Sequence, residues 1–257
     1  MSANPTMAQL GTILSIWAHP DDETYLAAGL MSAAARRGQR VVCVSATAGE
    51  HGTADADEWP PDRLGQVRRW EATASMAVLG IGEHRFLGLP DGGLVSYEAE
   101  GPALVGQLLD EVRPDTILTF GPDGMTFHPD HIAVHRWVTE AWIRRSCRGR
   151  LLYATTTVEH IDRFGELYEE WDMYMTDERP VGVPAGDLAV HVHLDGAGLD
   201  RKLTALRAMA TQTSGLLAML DPAVYAAQVA EEAFVQAAAP ATPPACVEQL
   251  LAAAARR

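Results

Sequence analysis

Ala18-His19-Pro20-Asp21-Asp22-Glu23 places four ionisable groups within five consecutive positions, just past an apolar run. Negative charge packed so densely needs compensation, which a divalent cation supplies, and the imidazole of His19 with the carboxylate of Asp22 suits zinc. Asp21, adjacent but pointing elsewhere, is then left free as a base. Taken alone, the three carboxylates would equally suit the first turn of a helix, where acidic groups complement the macrodipole. A second cluster shifts that balance. Gly121-Pro122-Asp123-Gly124-Met125-Thr126-Phe127-His128-Pro129-Asp130-His131 again sets His-Pro-Asp after an apolar run and at the start of a helical pattern. His128 and His131 lie three apart, so one can bind metal while the other faces a substrate. A catalytic zinc commonly keeps three protein ligands and one open position for water, and His19, Asp22 and His131 complete that set. The metal brings the pKa of its water to about 7, and Asp21 is the carboxylate placed to accept the proton. His128, if protonated, would stabilise a developing oxyanion or protonate a leaving amine, with Asp130 orienting its ring. Iron(II) or another divalent metal suits a His₂-carboxylate set in principle.

Both clusters need elements that bring them together. Short β-rich runs alternate with helical patterns through the first 155 residues. Strands are expected at Thr12–Ala18, Val41–Ala46, His84–Leu89, Thr116–Phe120 and Leu151–Thr156, and helices from about Glu23 to Arg37, Arg63 to Leu79, Pro102 to Val112 and Asp130 to Arg145. Alternation of this kind implies crossover units and a mostly parallel sheet with helices on both faces. In an open doubly wound sheet, ligands collect outside the carboxyl ends of the strands at the switch point. If the first and fourth strands are central neighbours, both clusters meet there. Beyond residue 160 the pattern loosens to one strand at Ala189–Leu194, one helix at Leu199–Met209, and an Ala-rich, Pro-interrupted tail from Ala237 whose last dozen residues could form a docking helix. One domain over residues 1–257, with a core at about 12–157 and a C-terminal elaboration at about 158–257, is the simplest organisation.

The 257 residues carry 34 acidic and 20 basic side chains, a formal charge of −14. That balance argues against general attraction to nucleic acid or to an anionic membrane, and no apolar run approaches the roughly 20 residues needed to span a bilayer. Met1-Ser2-Ala3-Asn4-Pro5 lacks the basic and apolar segments of a secretory leader, so a cytoplasmic location is expected. Cys43, Cys147 and Cys246 are too few and too scattered for a disulfide framework or a thiolate metal cluster.

The AHPDDE segment at 18–23 and the HPDH segment at 128–131 resemble those of the LmbE-like or PIG-L deacetylases. Thr47-Ala48-Gly49-Glu50, Arg68-x-x-Glu71, Leu89-Pro90-Asp91-Gly92 and the Lys202-x-x-Ala205-Leu206…Thr211-Gln212 helix extend the likeness from about residue 12 to 235. The resemblance implies a Rossmann-like fold, a zinc site at His19, Asp22 and His131, Asp21 as general base and His128 as its acid or electrostatic partner. It implies de-N-acylation, usually de-N-acetylation, of an amino sugar or glycoconjugate, with Arg68 and Asp91 holding the sugar. Read only locally, Arg68 would pair with Glu71 or Asp62, and Asp91 would make a turn with Gly92. Some positions depart from the family: Thr24-Tyr25-Leu26 follows Glu23, Thr126 stands where some relatives carry tyrosine, and Met209 where the C-terminal motif often has histidine. The pocket is therefore this chain's own.

Two other readings compete with amino-sugar deacetylation. One is an amidase for a mycothiol-type conjugate or another non-sugar amide. The other is a non-catalytic, metal-stabilised sugar-binding protein, against which the presence of both Asp21 and His128 argues. A dinucleotide-binding dehydrogenase is disfavoured because no Gly-x-Gly-x-x-Gly follows the first strand. Of the remaining histidines, His135 is an alternative ligand one turn beyond His131. His191 and His193 are expected to face solvent, and His51, His84 and His160 to lie on the surface. Trp17 is expected in the core.

Overall fold

In a computed structural model that describes residues 10–240, the alternating apolar runs of the first half form five parallel strands. These are β1 (Ile13–Trp17), β2 (Val41–Ser45), β3 (Glu83–Phe86), β4 (Thr116–Phe120) and β5 (Arg150–Thr155). Every residue of β1, β2 and β4 is buried, as a strand covered on both faces requires. The connecting helices are α1 (Asp22–Ala35), α2 (Pro61–Leu79), α3 (Gly101–Val112) and α4 (Pro129–Arg144). Gly80 stops α2 in a left-handed cap at φ 80°, a conformation glycine adopts without steric cost.

Strand order across the sheet is β3-β2-β1-β4-β5-β7-β6. The chain winds outward one way from β1 and the other way from β4, and these two strands pair directly. The loops after β1 and β4 therefore open into one crevice. Trp17 and Phe120, the last residues of the two strands, meet edge to face with ring centroids 4.9 Å apart. Trp17 is fully buried, as its core assignment expects.

Residues after 157 hold more structure than their pattern suggests: α5 (Val158–Glu170), β6 (Val190–His193), α6 (Gly196–Arg207), α7 (Ala210–Met219), α8 (Pro222–Val229) and β7 (Glu231–Gln236). β7 is antiparallel to both neighbours and joins β6 to the parallel strands. It escaped the sequence reading because it opens Glu231-Glu232, a polar start for a strand inside a sheet. Glu232 is nonetheless buried, because the Lys202 Nζ donates to it at 2.8 Å and the Gly29 and Leu30 amides at 2.7 and 2.9 Å. Lys202 also donates to the Tyr25 carbonyl at 2.6 Å. Tyr25 and Gly29 are four apart, the spacing of one helical hydrogen bond, so the ion pair is spliced into α1 and ties α6 and β7 to it. The expected tail helix lies outside the described residues. No described helix is long and apolar enough to cross a membrane.

Candidate active site

His19 follows β1 directly, and Asp22 opens α1. His131 sits in the first turn of α4, behind the Pro129 that sets its N-terminus. The crossing brings the three together: His19 Nδ1 lies 3.1 Å from His131 Nε2, Asp22 Oδ1 3.3 Å from His131 Nε2, and Asp22 Oδ2 3.7 Å from His19 Nδ1. Ligand atoms of a tetrahedral zinc with bonds of about 2.0–2.1 Å stand about 3.3 Å apart. The His19–His131 and Asp22–His131 spacings fit such an ion, with Asp22 reaching the two histidines through different oxygens.

Hydrogen bonds on the far side of each ring leave those nitrogens available. His131 Nδ1 donates to the Gly124 carbonyl at 2.8 Å. His19 Nε2 donates to Asp91 Oδ1 at 3.0 Å and faces Asp130 Oδ2 at 3.4 Å. Burial alone would lower the pKa of His19, but hydrogen bonds to Asp130 and Asp91 and the charge of Asp22 outweigh it and raise the value to about 10. The field that draws a proton to His19 draws a cation equally. Asp91, Asp130 and His19 form a second group close enough to share an ion, in which the two carboxylates hold His19 Nε2 and neighbouring backbone amides. Asp130 accepts from the Gly92 and Leu94 amides at 2.8 and 3.0 Å, and Asp91 from the His51 amide at 2.9 Å.

These contacts correct one sequence expectation. The Asp130 carboxylate orients His19 and leaves the ring of His128 alone. His128 is instead the N-cap of α4, its Nδ1 accepting from the Asp130 amide at 3.1 Å, because the first helical N–H groups need an acceptor. Asp91 lines the cavity and also holds His19. His128 is close enough to His19 and His131 to complete an all-histidine group, yet Asp22 supplies the charge such a group lacks. Burial, reinforced by the neighbouring His131 and His19, lowers the His128 pKa to about 4.

Asp21 is the hinge between β1 and α1 and sits at φ 139°, a backbone conformation strained for an L-residue. Neither local partner expected for Arg68 is used. Its Nη2 donates to Pro20 O at 2.7 Å and to Asp21 Oδ2 at 3.1 Å, and its Nη1 to Gly49 O at 2.7 Å. Gly49 is required there: its φ is +64°, and a Cβ would lie 2.2 Å from Arg68 Nη1. Burial raises the pKa of Asp21 to about 6 against the opposing charge of Arg68.

The cluster opens into a cavity of about 620 Å³, within the range of roughly 300–1,000 Å³ that takes small-molecule ligands. Tyr25, Arg68, Asp91, Thr126 and His128 line it, and residues of α5, α8 and β7 contribute a second wall. His160 belongs to that wall rather than to the surface, bonded to Glu231 at 3.0 Å and to the Tyr168 hydroxyl at 2.7 Å. His191 also reaches Glu231, at 2.6 Å, instead of facing solvent, whereas His193 is exposed. His84 is half-buried and bonded to Ser45 Oγ at 2.9 Å. His135 points to the Phe120 carbonyl at 2.9 Å and takes no part in the cluster. A histidine or tyrosine within α5 carries no local mark of its destination, which explains why the second wall escaped sequence reading.

Fold and site together define a doubly wound α/β protein with a histidine–carboxylate cluster at its switch point. The chain belongs to the PIG-L family: the GlcNAc-PI de-N-acetylase family model matches residues 14–142. A 1D-myo-inositol 2-acetamido-2-deoxy-alpha-D-glucopyranoside deacetylase of Mycolicibacterium vanbaalenii is 33% identical over 230 residues, covering 79% of this chain and 81% of the relative. Among solved structures, the deacetylase of the A40926 pseudoaglycone superposes with a TM-score of 0.65 at 21% identity, covering 90% of this chain and 99% of the other. The N,N'-diacetylchitobiose deacetylase of Pyrococcus horikoshii gives 0.62 at 19% identity, covering 94% and 90%. At these identities the structures speak for the fold.

Proposed function

We propose that this protein is a zinc-dependent hydrolase that removes an acetyl group from the amide nitrogen of an amino-sugar glycoside, and that His19, Asp22 and His131 hold the metal. The supporting observation is the convergence of those three donors while the Asp21 carboxylate remains outside the set, held by Arg68. A zinc held there would supply Lewis acidity and bring the pKa of its water to about 7. Asp21 takes a proton from the attacking water at a carboxylate oxygen and returns it to the amide nitrogen as the C–N bond breaks, yielding acetate and the free amine. His128 acts as a neutral ring. Because its Nδ1 accepts from a backbone amide, its proton resides on Nε2, where it is a hydrogen-bond donor for the oxyanion of the tetrahedral intermediate. Asp91 and Asp130 keep Nε2 of His19 protonated and Nδ1 open for the ion.

The test is acetate release from the inositol glycoside named for the Mycolicibacterium relative, with zinc-loaded and chelator-treated protein. Asp22→Ala and His131→Ala should lose bound zinc. Asp21→Asn should keep zinc and lose about 10²–10⁴-fold in kcat. Zinc retained at full stoichiometry in Asp22→Ala, or near-normal turnover in Asp21→Asn, would overturn the assignment.

A further inference from the structure

A second polar network lines the same cavity and is not used by the chemistry above. Glu231, the first residue of β7, accepts from His160 Nδ1 at 3.0 Å, from His191 Nε2 at 2.6 Å and from Thr157 Oγ1 at 2.9 Å. Burial by itself would raise its pKa, but these hydrogen bonds prevail and hold it down at about 2, so it is an ionised acceptor. His160 Nε2 lies 2.7 Å from the Tyr168 hydroxyl and holds it in place. Gln228 Nε2 donates to the same hydroxyl at 2.9 Å. Two of the three hydrogen-bonding positions of the phenol are thus filled from within the protein, one remains, and Tyr168 lines the cavity. A hydroxyl can fill that position, because it both donates and accepts.

Aromatic rings surround this oxygen. Trp171 and Tyr174 lie 6.3 and 6.4 Å from the Tyr168 ring. Tyr174 meets Phe127 at 6.4 Å, and the Met175 amide bonds to the Thr126 carbonyl at 2.9 Å, so the ledge is fastened to the loop that carries His128. Such a surface suits a ring with apolar faces and a hydroxylated edge. Glu231, which anchors His160, stands on β7, two strands beyond β4, about 10 Å at a strand spacing of about 4.8 Å. The cavity of about 620 Å³ has room for a ring beyond the one that carries the acetamide.

We infer that Tyr168 is a specificity-determining residue that hydrogen-bonds a hydroxyl of a second, hydroxylated ring linked to the acylated sugar, with that ring seated on the Tyr168–Trp171–Tyr174 ledge and His160 positioning the phenol. The inference rests on the deacetylase reading only for the identity of the first ring. Calorimetry on zinc-loaded Asp21→Asn protein separates the two. Its probes are the inositol glycoside and methyl 2-acetamido-2-deoxy-α-D-glucopyranoside, in which a methyl group replaces the second ring. Adding Tyr168→Phe, which keeps the ring and its packing, should weaken the inositol glycoside roughly five- to tenfold, the worth of one neutral hydrogen bond, and leave the methyl glycoside unchanged. His160→Asn should reproduce this selectivity with Tyr168 in place. Equal loss on both glycosides, no loss on either, or no binding of the inositol glycoside overturns the inference. Selective binding without acetate release by the wild-type protein would instead refute the proposed reaction and leave the second-ring site standing.

Discussion

Arg68 reaches the backbone and the side chain of one turn together, donating from Nη2 to Pro20 O at 2.7 Å and to Asp21 Oδ2 at 3.1 Å. One guanidinium therefore holds Asp21 in its strained conformation and aims its carboxylate. A lysine ammonium could neutralise the charge but could not make the fork. Arg68→Lys should keep zinc and lower kcat by between about ten- and a hundredfold, the cost of a small misplacement of the base. Steady-state kinetics with metal analysis check this, and an unaltered kcat would limit Arg68 to a packing role.

Asp91 and Asp130 both face His19 Nε2. Replacing either by asparagine removes the charge that favours the useful tautomer while preserving shape. Zinc affinity should fall roughly 10–100-fold in each variant, as read by competition with a chromogenic chelator. Unchanged affinity in both would remove them from the metal's support.

The ion pair of Lys202 and Glu232 is fully desolvated, with both side chains at 0% exposure. Lys202→Met leaves a buried carboxylate without its cation and should cost about 3–5 kcal/mol in urea unfolding. Lys202→Met combined with Glu232→Gln should recover part of that loss, since it removes the unpaired charge while the glutamine carbonyl still accepts from one of the two α1 amides. A double variant as unstable as the single one would contradict this account.

His84 is held neutral: burial, helped by the positive charge of Arg69, lowers its pKa to about 4. Its Nδ1 is buried without a hydrogen-bond partner, so a proton there would go unsolvated. The unfolded chain protonates near pH 6.5 and the folded one only near pH 4. Stability from this group is complete above about 6.5 and is lost as the pH falls toward 4. His84→Gln should remove roughly 1–3 kcal/mol of the acid-induced loss, measured as the difference between the two proteins' unfolding free energies from pH 7 to pH 4. Parallel curves would show that His84 titrates normally in the fold.

Much of this was readable locally. β4 falls on its expected residues, and β1, β2 and α2 fall within two residues of theirs at each end, because buried strands are continuous apolar runs and helices end at glycine. His19, Asp22 and His131 announced themselves as ionisable groups crowded at strand ends. Asp130 was singled out for its position in HPDH, but the target of its carboxylate was misread, since a side chain four bonds from a named helix start can turn toward either neighbour. Arg68 and Asp91 come to the sugar only through the family resemblance; both line the cavity, and nothing in their local sequence names their contacts with Asp21 and His19.

Residue order alone settled which side chains carry charge, where strands give way to helices, and that His-Pro-Asp occurs twice at such a junction. Only tertiary structure decided that the two junctions share one crevice, because that depends on β1 pairing with β4 across about a hundred residues of chain. Tertiary structure also decided that Glu231, His160 and Tyr168 form one hydrogen-bonded line. Contacts between distant segments are selected by the burial of whole faces, and no short window of sequence contains that information.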